Sequence, residues 1–170
     1  MKCIVDSIDD PGTAFQSFAG NGKGYDCMYW GYLAESRGRL LYVRRLVGVL
    51  DTVPKKDRME HARTLLFDLF EVDLTSNSCA QWKRVNCLGG QALFVGTDSR
   101  SLPASECGVE DCIYFMRDYD RGNFDADPFC DSGVFNMRNG KIKPLLPETA
   151  VVRPQGEAGR PAWFFPNEAM

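Results

Sequence analysis

Short apolar stretches, each closed by a turn signal, follow one another from Tyr29 to about Leu146. That pattern belongs to antiparallel β structure, since a strand needs only a few alternating residues before the chain must reverse. Ser36-Arg37-Gly38 separates Tyr29–Glu35 from the apolar Arg39–Leu50, and glycine takes positive φ at little steric cost. Asn139-Gly140 is a stronger hairpin signal, because a type I′ turn needs positive φ at both central residues. It predicts that Gly133–Arg138 pairs with Lys141–Leu146, with Val134 and Phe135 facing Ile142 and Leu145. Further strands are expected at Leu65–Leu74, Trp82–Cys87, Gln91–Gly96 and Cys112–Arg117. Their close, even spacing suits sandwiches, barrels and propellers alike.

One stretch fits this scheme less well. Met59, Ala62, Leu65, Leu66 and Leu69 recur at helical spacing within Lys55–Phe70, which makes a helix the alternative there. A charged loop over residues 51–63 followed by a strand is the preferred reading. Residues 1–28, with Gly20, Gly22 and Gly24 close together, are expected to be irregular or disordered. From Pro147 onward four prolines (147, 154, 161 and 166) indicate an extended tail, interrupted by Trp163-Phe164-Phe165.

Charge and length exclude several classes of function. The 170 residues suffice for one domain or two small ones. With 20 Lys+Arg against 23 Asp+Glu the net charge is −3, opposite to the concentrated basic surface that nucleic acid requires. No apolar run approaches the ~20 residues that cross a bilayer, and the polar, acidic start has no signal-peptide core. A location in cytoplasm or nucleus is expected, without nucleic acid or membrane as partner. There the seven cysteines (3, 27, 79, 87, 107, 112 and 130) are expected as packed free thiols and not as a disulfide framework.

His61, the single histidine, lies in Lys-Lys-Asp-Arg-Met-Glu-His-Ala-Arg. Those neighbours belong on a solvated surface, away from the cleft that a nucleophile and its base share. Cys107 and Cys112 form one loose pair with no second pair to complete a tetrahedral zinc site. The acidic stretch Asp118–Asp131, with Asp120, Asp125 and Asp127, lacks the glycine and the bidentate glutamate that a calcium loop needs at Asn123 and Phe129. Gly20-Asn-Gly22-Lys-Gly24 lacks the spacing of a P-loop or a dinucleotide fingerprint. No catalytic, cofactor-binding or metal-binding residue is therefore assigned, and no cofactor is expected. What remains is aromatic: 11 Phe, 6 Tyr and 3 Trp, mostly core, with a minority available for a protein-binding surface whose residues the pattern does not name.

The ordered motifs carry a resemblance. Tyr32–Ser36 with Gly38–Leu41, Phe67–Leu74 followed by Trp82, Leu93–Gly96, Ser99 and Ser101 with Ala104 and Glu106, Cys112–Phe115, Asp131–Phe135, Asn139–Leu145 and Pro161–Phe164 together resemble the plant KIB-type β-propeller family. That family was formerly catalogued as a domain of unknown function and is often attached to an F-box. The resemblance covers about residues 29–167. It implies an all-β chain of antiparallel four-stranded blades forming an incomplete propeller, with an irregular segment before it and a Pro-rich tail behind. The F-box bundle and further β-repeats that full members carry ahead of the segment matching Tyr32 are not visible. Met116-Arg117 also departs from the polar or acidic pair usual there.

By the resemblance, the expected role is non-enzymatic: a protein-interaction module like the substrate-recognition propeller of a ubiquitin ligase. Its protein partner is unidentified, and Skp1 binding is not expected without an F-box. Two alternatives stand beside it. One is a small-ligand or enzymatic propeller using the acidic turn 118–131; the other is a fragment with no independent function.

Overall fold

The computed structural model describes residues 24–73, 81–107, 109–119, 129–146 and 162–165. The expected irregular segment falls outside these as far as residue 23, as do the centre of the acidic turn and most of the Pro-rich tail. The chain divides into two compact units, Met1–Asn86 and Cys87–Met170. Each contains one sheet.

The first sheet is an antiparallel meander, β1 (Tyr25–Ser36), β2 (Arg39–Leu50), β3 (Arg63–Asp73) and β4 (Gln81–Val85), in sequential order. This is the antiparallel four-stranded blade that the family resemblance implied. β1 starts at Tyr25, inside the segment expected to be irregular, because Tyr25–Met28 pair with Val47–Leu50 and lengthen the hairpin to twelve residues a side. Its turn is the tightest available. Ser36 pairs with Arg39, so only Arg37 and Gly38 connect the strands, both with positive φ (53° and 75°), which matches the right-handed strand twist. The Glu35 side chain accepts the Gly38 amide at 2.7 Å and secures the reversal.

Between β2 and β3 the charged stretch forms a 3₁₀ turn, Lys55–Asp57, and one helical turn, α1 (Arg58–His61). The helix alternative over Lys55–Phe70 thus shrinks to a single turn, and the strand begins at Arg63, two residues earlier than expected. The helical spacing of Leu65, Leu66 and Leu69 arises from a bulge. Leu46 pairs with Leu66 and Val47 with Thr64, leaving Leu65 as the extra residue. Gly48 accommodates it: a Cβ there would lie 2.5 Å from the Leu65 side chain.

One face of this sheet is core. Ala34, Ser36, Leu41, Val43, Phe67 and Leu69 are buried along it, together with Arg45, which has no exposed surface. Arg45 donates to Thr64 Oγ1 at 2.8 Å and to Tyr32 Oη at 3.1 Å, so the buried guanidinium keeps hydrogen-bond partners.

The second sheet has five strands in the order β6-β5-β7-β8-β9. They are β5 (Gln91–Val95), β6 (Arg100–Pro103), β7 (Cys112–Phe115), β8 (Gly133–Asn136) and β9 (Lys141–Lys143), with one helical turn, α2 (Ala104–Cys107), after β6. Leu93, Val95, Ile113, Phe115 and Phe135 bury its core face. The pairings are antiparallel except for β5 with β7, which is parallel. A hairpin cannot join parallel neighbours; the chain crosses by way of β6 and α2, which the apolar pattern did not anticipate.

The β8–β9 hairpin departs from the expected type I′ turn. Asn136 pairs with Lys141, leaving a four-residue loop in which only Gly140 has positive φ (66°). Asn136 Oδ1 accepts the Arg138 and Asn139 amides at 2.9 and 3.2 Å and stabilises the loop from its start. Phe135 does pair with Ile142, but Val134 pairs with Lys143, and Leu145 lies past the strand.

Candidate functional site

Alternation along a strand sends successive side chains to opposite faces, so the face of the first sheet opposite Arg45 is composed by the register. One cross-strand row contains Leu33, Tyr42, Phe70 and Arg84; the next contains Gly31, Arg44 and Asp68. Tyr29, Leu33 and Leu40 are exposed there at 43%, 60% and 41%. Three large apolar side chains on one rigid face are more than the scattered singles of an ordinary surface.

Aromatic and charged groups interlock among them. The Tyr42 ring lies 5.6 Å from Trp82 and 6.3 Å from Phe70. Gly31 lets that ring cross β1, since a Cβ at Gly31 would fall 2.7 Å from Tyr42 Cε2 and Oη. The Arg44 guanidinium stands over both Tyr29 (5.1 Å) and Phe70 (5.2 Å). Asp68, 6% exposed, holds Arg44 at 2.7 Å through one oxygen and Arg84 at 2.5 Å through the other. Two arginines on one carboxylate leave a local excess of positive charge, and Arg84 remains largely exposed. Tyr, Trp and Arg fixed in place are the residue types that dominate protein interfaces.

The other candidates fare differently. His61 ends α1 and is exposed, as expected. Cys107 donates its thiol to Pro103 O at 3.2 Å, and Cys112 is buried and accepts from Asn136 at 3.8 Å. Burial pushes both thiols above their ordinary value, with Glu106 and Asp111 respectively adding to the rise. Among the described residues no three His, Cys, Asp or Glu side chains converge as a metal site. Of the acidic turn, Asp120, Asp125 and Asp127 lie outside the described residues. Asp131 is buried and accepts the Tyr119 hydroxyl at 2.9 Å. Cys27, Cys87, Cys107, Cys112 and Cys130 are free; Cys3 and Cys79 fall outside. No helix among the described residues is long and apolar enough to cross a membrane.

The sequence profile of the KIB1-4 beta-propeller family matches residues 6–136. The chain belongs to that family. The match starts upstream of residue 29, where the β domain was expected to begin, and ends at the last residue of β8, so β9 and Trp163 lie past it. No curated protein and no solved structure matches the chain. Membership in the propeller family accounts for the meander of β1–β4 and supports a propeller interaction module in general. The outward face of that meander, which the apolar pattern could not locate, carries the exposed Tyr29, Leu33 and Leu40 beside the Arg44–Asp68–Arg84 network.

Proposed function

We propose that this KIB-type propeller chain is a non-enzymatic protein-interaction module, and that it docks its partner on the outward face of β1–β4. The observation that carries the reading is the exposed set Tyr29, Leu33 and Leu40 around the Arg44–Asp68–Arg84 network. The apolar side chains supply burial, roughly 1.5–3 kcal/mol for a large side chain taken fully out of water. The paired arginines favour a partner with an acidic rim. By resemblance to F-box-associated propellers, the partner is a protein selected for ubiquitin transfer, and this chain contributes the selection.

The test uses a photo-crosslinking residue at Leu33 in one sample and at Asn139 in another, each incubated with plant extract. The reading expects a protein joined at Leu33 and not at Asn139, and lost when Leu40→Asp and Arg84→Glu are added. A partner captured equally from both positions, or retained by those variants with the sheet still folded, would refute it.

A further inference from the structure

The outward face of the second sheet is covered by the chain itself. Phe94 of β5 and Tyr114 of β7 are cross-strand partners, stacked at 4.6 Å with an interplanar angle of 13°. Against them lies the short segment Ala162–Phe165, whose burial alternates as a strand's does. Trp163 and Phe165 are half-buried, while Ala162 and Phe164 are exposed, Phe164 at 87%. Trp163 meets the Phe94 ring edge-on at 5.1 Å and Phe165 meets it edge-on at 5.6 Å. The indole Nε1 donates to the Val95 carbonyl at 2.9 Å, past the last β5–β6 pair, Phe94 with Arg100. Arg100 closes the other side, its guanidinium 5.4 Å from the Phe165 ring.

These are the parts of a peptide-recognition site: an aromatic floor, one directed acceptor and a cation over the second ring. The contacts come from alternate side chains, and 162–165 join no strand ladder. Ala162–Phe165 and the slot they fill belong to one chain. Covalent attachment makes the segment's binding intramolecular, so a free peptide must compete with an effective concentration and not with an empty site. A slot of only modest intrinsic affinity therefore stays filled by its own tail.

We propose that the Phe94–Tyr114 slot is a recognition site for an extended Trp-X-Phe segment, with Ala162–Phe165 of this chain as its resident and exchangeable ligand. Release of the tail uncovers Phe94 and the Val95 carbonyl together. This inference is independent of the docking face on the first sheet.

The experiment uses the full chain with a site-specific protease sequence inserted between Gln155 and Gly156. After folding, the chain is cut and dialysed, and a fluorescent peptide of residues 158–170 is titrated by anisotropy. The cut protein is expected to release its tail, keep its circular dichroism and bind the peptide at least tenfold more tightly than the uncut chain. A peptide carrying Trp163→Ala is expected to bind at least tenfold more weakly than the native one. Four results would overturn the proposal: a tail that never leaves, a cut protein that unfolds when it does, equal binding by cut and uncut chains, and no binding up to millimolar peptide. Uncut dimers that the peptide dissolves would put a second copy's tail in the slot, and would equally overturn occupancy in cis.

Discussion

Replacing Asp111 isolates how the parallel crossover in the second sheet is held. Asp111 is 3% exposed and has positive φ, 57°. Its carboxylate accepts the Leu88 amide at 2.7 Å through one oxygen and Arg138 Nε at 2.9 Å through the other. Its own amide donates to Gln91 O at 3.0 Å, and its carbonyl accepts the Met137 amide at 2.9 Å. The residue therefore ties the entry of β5 to the entry of β7 and the exit of β8. A hydrogen bond to an ionised acceptor contributes about 1.5–3 kcal/mol, and the left-handed conformation costs an alanine about 1 kcal/mol. The Arg138 side chain is 61% exposed, so that ion pair is screened by solvent and adds little. Asp111→Ala is expected to destabilise the second unit by about 3–4 kcal/mol. Asp111→Gly, free of the backbone strain, should lose about 2, and Asp111→Asn, which keeps an oxygen for Leu88 and tolerates positive φ, about 1. At about 4–8 °C per kcal/mol for a unit of this size, alanine lowers the midpoint by about 12 °C or more. Thermal and urea melts of the three variants check the order. Equal losses for asparagine and alanine would show that charge toward Arg138 carries the effect, and would refute the account from Leu88 and the backbone.

Three further expectations concern other parts of the chain. Thr64→Val removes an acceptor from the buried Arg45 guanidinium and should lower stability by about 2 kcal/mol; combined with Arg45→Met the loss should be less than additive, which a double-mutant cycle in urea measures. Gly31→Ala drives a Cβ against the Tyr42 ring and should cost about 1–3 kcal/mol, with a matching change in the near-ultraviolet dichroism of the Tyr42–Trp82 pair. Burial, and secondarily the adjacent Asp26, Glu106 and Asp111, raises the thiols of Cys27, Cys107 and Cys112 above 9.0. The folded chain then retains protons that the unfolded chain gives up, so their contribution is complete below pH 9 and declines as pH rises through the folded values. Melts at pH 8 and pH 10 should differ less for Cys112→Ala than for the native chain, and an equal difference would refute the assignment.

Strands were legible wherever their reason was local, and obscure wherever it was a neighbour. Arg39–Leu50 is apolar enough to announce itself, and β2 has those bounds. β6 is Arg-Ser-Leu-Pro, with neither alternation nor β-branched residues, and is a strand only because Gln91–Phe94 offer it a ladder. The helical spacing after Met59 misled for a related reason, since a single bulged Leu65 shifts the phase of a period-two pattern. Turn chemistry showed the same limit. Gly38 marks the turn in sequence, while positive φ at Arg37 follows from the pairing of Ser36 with Arg39 and from no preference of arginine. The candidate surfaces were least legible of all. Leu33 and Leu41 look alike in sequence, yet one is 60% exposed and the other fully buried, because they stand on opposite faces of a single sheet. The hairpin register, with Leu33 opposite Tyr42 and Ala34 opposite Leu41, assigns them to different faces, but only burial says which face is core. Trp163 shows what that implies for function. Its aromatic run stood out from the Pro-rich tail, but its role depends on Phe94 and the Val95 carbonyl, 68 residues away in sequence, and no spacing within the tail encodes that contact.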